Sequence, residues 1–238
     1  MKKQIITLCT TILLAASCFA QPRGARPPKE PDTATKEKEV AEIGEKAPAF
    51  ELKDQHGNTH KLSEYEGKIV VLEWFNETCP FCAGVWGSGL IPTLLIDLKG
   101  RETEVVYLAM NSTANKPKEE VLKGGTEFLE ELDIEIPMLM DYDGKVGHLY
   151  GARTTPHMYV IDTEGVLVYK GALSDDPRSK EGDKAKTHIS RVVSQIEAGE
   201  EVSPSYIQPW GCPVKYKRAE SKHMPANRRP DRTGNPWN

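Results

Sequence analysis

Two cysteines separated by two residues, Cys79-Pro80-Phe81-Cys82, stand shortly after an unbroken apolar run, Ile69-Val70-Val71-Leu72, and this adjacency limits the fold more than any other feature of the chain. A continuous β-branched run reads as a strand buried on both faces, which requires a layer on each side of a partly parallel sheet. Ala83 to Leu98 reads as a helix, so the first cysteine falls at a strand-to-helix junction. Gly84, Gly87 and Gly89 weaken the first half of that helix, and Pro92 predicts a kink within it. At a helix N-terminus the unpaired backbone N–H groups and the helix dipole favour thiolate over thiol. Two cysteines in one helical turn can also close a small disulfide ring, so that attack by one thiolate is resolved by the other. A structural disulfide or half of a zinc site uses the same spacing, although four zinc ligands would have to draw Cys212 and a histidine from distant segments.

The remaining pattern is that of an α/β domain. Ala49 to Asp54 alternates in polarity, Gln55-His56-Gly57-Asn58 supplies a turn, and Thr59 to Leu62 returns, which predicts a hairpin. Strands are expected at Glu104 to Met110, Pro137 to Met140, Met158 to Asp162 and Val166 to Tyr169, the last two joined by the turn Thr163-Glu164-Gly165. Helical spacing marks Lys118 to Leu132, a short turn at Val146 to Tyr150, and a final amphipathic stretch from Lys186 to Ala198. Strands alternating with helices and ending in an antiparallel pair indicate a mixed central sheet flanked by helices. No internal repeat is visible.

The ends read differently from the middle. Met1-Lys2-Lys3, an uncharged run from Ile5 to Leu14 and small residues through Ala20 form a secretory signal pattern for residues 1–20, with cleavage after Ala20. Lipoprotein processing at Cys18 is the rival reading, weakened by a leucine at 14 that lies one place too early. Residues 21–42 combine prolines with many charges and read as a disordered linker, since such a composition buries too little apolar surface to offset chain entropy. The globular domain is expected at 43–202, and 203–238 is a proline-rich extension, holding Cys212, that lies along the domain or hangs free. A net charge of −4, made more negative if the two lysines of the signal are removed, argues against nucleic acid as a partner. A mean hydropathy of −0.51 and no second long apolar run exclude a polytopic membrane protein. Removal of the signal takes away Cys9 and Cys18 and leaves Cys79, Cys82 and Cys212, an odd set in a disulfide-permissive periplasm or extracellular space.

Two segments flanking the motif carry a resemblance: Leu62-Ser63-Glu64-Tyr65-Glu66-Gly67-Lys68-Ile69-Val70-Val71-Leu72-Glu73-Trp74-Phe75 before it, and Thr154-Thr155-Pro156-His157-Met158-Tyr159-Val160-Ile161-Asp162 after it. With Cys79 and Cys82 they resemble the thioredoxin superfamily, especially its exported redoxin and thiol-disulfide oxidoreductase members of the AhpC/TSA kind, over Ile43 to Val202. The resemblance implies a thioredoxin-like fold, a redox-active Cys79–Cys82 disulfide and no cofactor or metal. It also implies a cis Thr155-Pro156 bond beside the dithiol, with Pro80 and Phe81 in the active-site loop. Glu73, six residues before Cys79 in an apolar strand, matches the place where thioredoxins keep a buried acid. A carboxyl group there has its pKa raised by desolvation and can exchange a proton with Cys82. Trp74 and Phe75 read as core, and Trp86 as either core or site. His157 could border the substrate groove. Cys212, in Trp210-Gly211-Cys212-Pro213-Val214-Lys215, resembles glycine-cysteine endings of related redoxin-like proteins and suggests a third thiol folded back toward the site.

Three functions compete. The first is an exported thiol-disulfide oxidoreductase in which Cys79 attacks a protein disulfide, Cys82 resolves it and Glu73 handles the proton, with protein disulfides and a thiol donor or acceptor as partners. The second is a peroxiredoxin-like thiol peroxidase, but the threonine or serine and the proline expected three and seven residues before the peroxidatic cysteine are Asn76 and Leu72 relative to Cys79, and Cys79 and Phe75 relative to Cys82. Peroxide activation would need other donors, with Arg153 a candidate whose spacing does not establish the role. The third is a binding module for a soft metal such as Cu(I), using Cys79, Cys82 and His157.

Overall fold

The structure, a computed structural model, describes residues 40–217. The signal at 1–20, the linker up to residue 39 and the end of the extension from 218 onward lie outside the described residues.

A short hairpin, β1 (Glu51–Lys53) and β2 (Thr59–Lys61), precedes β3 (Ile69–Trp74), the central strand. Then follow α1 (Pro80–Gly87), α2 (Leu90–Lys99), β4 (Val105–Asn111), α3 (Lys118–Glu131), β5 (Met138–Met140), α4 (Lys145–Tyr150), β6 (Thr154–Thr155), β7 (His157–Ile161), β8 (Leu167–Gly171), α5 (His188–Glu197), β9 (Tyr206–Ile207) and β10 (Cys212–Pro213). The main sheet has six strands in the order β5-β4-β3-β7-β8-β9. The β5–β4, β4–β3 and β8–β9 pairs are parallel, whereas β3–β7 and β7–β8 are antiparallel, so the sheet is mixed, as the sequence predicts.

Every residue of β3 is buried, which explains its unbroken hydrophobicity. Alternation along the strand divides its side chains between two cores. Ile69, Val71 and Phe75 pack with α1, α2, α3 and α5, while Val70, Leu72 and Trp74 pack with Phe50, Tyr150 of α4 and Tyr159 of β7. Glu73 belongs by alternation to the first face, beneath α1.

One expectation needs correction. The helix read from Ala83 to Leu98 is two helices, meeting at 59° at Ser88-Gly89 rather than kinked at Pro92. Gly89 takes φ +87°, a left-handed conformation that few other residues adopt. Pro92 sits in the first turn of α2, where its missing N–H would have had no intrahelical partner, so it is tolerated. The domain's ends are well packed. Ala41 is buried, with its N–H donating to Leu149 O at 2.8 Å, so packing begins just before residue 43. Of the two readings of the extension, that it lies along the domain holds through residue 217: β9 adds an edge strand beside β8, and β10 pairs antiparallel with β6. Gly171 permits the first of these contacts, because a Cβ there would stand 2.1 Å from Ile207 O.

Candidate active site

Cys79 is the N-cap of α1, with extended backbone (φ −78°, ψ 119°), and Pro80 opens the helix. The loop entering it is fixed by Asn76, whose Oδ1 accepts from Thr78 N and Thr78 Oγ1, both at 2.7 Å, and whose carbonyl accepts from Cys79 N at 3.0 Å. Asn76, read only as a departure from the peroxidase pattern, is therefore the residue that shapes the cysteine loop. Cys79 and Cys82 are buried, at 3% and 0% exposure, Pro80 is exposed and Phe81 half-buried. All three thiols of the described chain are free.

The Thr155-Pro156 bond is cis, as the resemblance implies, and both residues are buried. Cys79 Sγ donates to Thr155 O at 3.0 Å. The Thr155 hydroxyl has no hydrogen-bond partner, so it is free to donate to Cys79 once that sulfur is ionised. Hydrogen bonding from the Cys82 thiol, then from Thr155, the Cys82 backbone N–H and the Cys212 thiol, outweighs burial and holds the Cys79 thiol well below the ordinary range. Cys82 moves the opposite way: burial, the neighbouring Cys79 sulfur and the Glu73 charge raise it well above the ordinary value. The two sulfurs are thus split, Cys79 toward the thiolate and Cys82 toward the thiol.

An acid stands in the same core. Glu73 is fully buried and accepts from Tyr107 Oη at 2.7 Å and from Trp86 Nε1 at 3.1 Å. Burial raises its pKa to about 7, against the lowering effect of these two bonds. Tyr107 was not singled out within the expected strand Glu104 to Met110, and Trp86 read as either core or site; the β3–β4 register and the placement of α1 bring their polar ends to Glu73.

Cys212 is brought to the site. It pairs in register with Thr155 and packs against the buried cluster that holds Cys79 and Cys82; burial, then the nearby Cys79 sulfur, raise its thiol pKa. His157 does not border the groove as expected. It is 2% exposed, its Nδ1 accepts from Arg153 N and neighbours Tyr159 Oη, and burial lowers its pKa to about 3. With Arg153 it lines a separate cavity alongside His148, Lys170 and Tyr216, to which none of the three cysteines contributes. Among the described residues no group of three His, Cys, Asp or Glu side chains is arranged to hold a metal ion, and the Cys79, Cys82 and His157 set is not assembled.

A mixed sheet that delivers a cysteine pair to a helix start, over a buried acid and against a cis proline, defines a redoxin of the thioredoxin superfamily. The sequence profile of the AhpC/TSA family matches residues 43–170, and the chain belongs to that family. It is similar to the thiol-disulfide oxidoreductase ResA of Geobacillus thermodenitrificans, at 30% identity over 131 residues covering 54% of this chain and 68% of the relative. The ResA of Bacillus thuringiensis is 26% identical over 162 residues, covering 68% of this chain and 82% of that one. The crystal structure of an uncharacterized conserved protein from Geobacillus kaustophilus superposes with a TM-score of 0.65 at 26% identity, covering 76% of this chain and 95% of that one. Fold and relatives together make the chain an oxidoreductase of thiol-disulfide chemistry.

Proposed function

We propose that the chain exchanges disulfides with exported proteins through the Cys79–Cys82 dithiol. The observation that carries this reading is the placement of the two sulfurs, Cys79 at a helix start against the cis Thr155-Pro156 bond and Cys82 fully buried with Glu73 in the same core; the opposite directions of their pKa shifts support it. In the reducing direction, the Cys79 thiolate attacks one sulfur of a protein disulfide, and the other sulfur leaves as thiolate. Cys82 then loses its proton to the Glu73 carboxylate and attacks the Cys79 sulfur, releasing the second substrate thiolate and leaving a Cys79–Cys82 disulfide. Two electrons pass to the substrate, and the oxidising direction is the reverse. Tyr107 and Trp86 are positioning residues that hold the carboxyl group through their hydrogen bonds.

The signal pattern at 1–20 supports export to the periplasm or beyond, with a lipid anchor at Cys18 as the alternative processing. The mass of the mature protein separates a start at Gln21 from a lipidated Cys18. Catalysis is tested by insulin reduction and hydrogen peroxide consumption, each with dithiothreitol as donor, for wild type, Cys79→Ser and Cys82→Ser. Insulin turnover that needs both cysteines, with negligible peroxide turnover, supports the proposal. Peroxide turnover that depends on Cys79 and exceeds insulin turnover would overturn it in favour of a peroxidase.

A further inference from the structure

The segment from Trp210 to Tyr216 is a strap across the dithiol, anchored on both sides. Trp210 Nε1 donates to Ser174 O at 2.8 Å, and its ring centroid lies 6.1 Å from that of Phe81 between the two cysteines. Beyond β10, Val214 N donates to Arg153 O at 3.0 Å, Ala114 N to Lys215 O at 2.7 Å and Tyr216 Oη to Ala152 O at 2.8 Å. Gly211 allows the strap to approach: its φ is +131°, and a Cβ would fall 2.2 Å from Thr155 O. Cys212 is then held directly opposite Thr155, whose carbonyl oxygen Cys79 Sγ already contacts at 3.0 Å. Cys79 at the start of α1 and Cys212 on β10 thus meet at one residue of β6. Of the three cysteines, Cys79 and Cys82 are buried, and only Cys212 retains appreciable exposure.

From this arrangement we propose that Cys212 is the outer member of a three-thiol relay, joining Cys79 in a disulfide that exchanges with Cys79–Cys82. The relay rests on the dithiol reading above and adds a second resolving thiol to it. After Cys79 has formed a mixed disulfide with substrate, the Cys212 thiolate, its proton given to solvent, attacks the Cys79 sulfur and releases the substrate thiolate. The Cys82 thiolate, its proton passed to Glu73, next attacks the Cys79 sulfur of the Cys79–Cys212 bond. Cys212 leaves as thiolate and regains a proton from solvent. One electron pair has moved from Cys82 to the substrate by way of Cys212. The Cys212 thiol is raised by burial and then by the Cys79 charge, and the second cause disappears once Cys79 is in a disulfide, so Cys212 ionises more readily at the step that needs it.

The test uses the full mature chain carrying Cys82→Ser, treated with oxidised glutathione, quenched with N-ethylmaleimide and peptide-mapped. The relay predicts a Cys79–Cys212 cross-linked peptide and release of glutathione. In the Cys82→Ser, Cys212→Ser chain Cys79 should stay glutathionylated, with glutathione release at least ~100-fold slower, because an adjacent thiol acts at an effective concentration of millimolar or more. A Cys82→Ser chain that keeps glutathione on Cys79 while Cys212 is alkylated would overturn the relay. Partly oxidised wild type, quenched in acid, serves where the variant does not fold: both Cys79–Cys82 and Cys79–Cys212 peptides are expected, and Cys79–Cys82 alone at all times overturns the relay. If wild type turns over insulin and Cys79 forms the mixed disulfide without Cys212 joining, only the relay fails. If wild type turns over no protein disulfide, the dithiol reading fails and takes the relay with it.

Discussion

Glu73→Gln separates the charge of the buried acid from its shape. Burial lifts Glu73 from 4.5 to about 7. That difference corresponds to about 3 kcal/mol between the protonated and ionised forms in the folded chain, at 1.36 kcal/mol per unit. The folded pKa lies above the unfolded one, so the contribution is fully present below about pH 4.5 and is lost as pH rises through about 7. Glutamine stays neutral and can keep both contacts, its Oε1 accepting from Trp86 and its Nε2 donating to the Tyr107 oxygen. Wild type should therefore lose about 3 kcal/mol relative to the variant between pH 4.5 and about pH 8. Urea unfolding at a series of pH values measures this, because groups not coupled to Glu73 cancel in the difference, and Cys82 and Tyr107, whose pKa values are raised in part by its charge, stay protonated over this range. The same substitution removes the proton acceptor for Cys82 and should slow resolution of a Cys79 mixed disulfide about 100-fold at neutral pH, the lower end of general-base contributions. A pH-independent stability difference, or a variant whose resolution rate keeps an inflection near 7, would refute the reasoning.

Other outcomes follow from the same geometry. Trp86→Phe removes an N–H that stabilises the Glu73 carboxylate, so the inflection in the resolution rate should move up by about one pH unit; an unchanged profile would detach Trp86 from the acid. Alkylation of Cys79 by iodoacetamide in the reduced chain should be nearly flat across neutral pH, since the thiolate is already formed, whereas a rate rising toward an ordinary thiol pKa of about 8.5 would contradict the assignment. Gly211→Ala forces a side chain against Thr155 O at a left-handed φ. It should cost about 2 kcal/mol in urea unfolding or release the strap, with Cys212 alkylated faster than in wild type; normal stability with normal Cys212 protection would refute the close approach.

The sequence carried the centre of this fold further than its margins. Ile69 to Leu72 announced a doubly buried strand because continuous β-branched runs have few other homes, and the cysteine pair marked the junction that follows. Glu73 was legible as a buried acid because it stands six residues before Cys79 in an apolar strand, where the resemblance implies one. Its partners were not, since Tyr107 and Trp86 meet it through contacts 34 and 13 residues away in the chain. The helix break was misplaced because Pro92 outweighed Gly89 in the reading, although a proline in a first turn is harmless. The strands β9 and β10 are two residues each, flanked or occupied by proline, and leave no periodic signal. Their pairing with β8 and β6 is a tertiary event, so Cys212 could be suspected from a family likeness but not placed from its local sequence. His157 misled for the opposite reason: its position after Pro156 was read correctly, but its side chain turns into the protein.

The central claim is that Cys79 and Cys82 form one two-electron couple. Equilibrating the mature wild-type chain in glutathione buffers of graded ratio, then alkylating and mapping each cysteine, measures this directly. The account predicts that Cys79 and Cys82 lose their alkylatable thiols together, in a single transition of about 30 mV per tenfold change. Loss of the Cys79 thiol to glutathione while Cys82 remains alkylated across the whole range would contradict it.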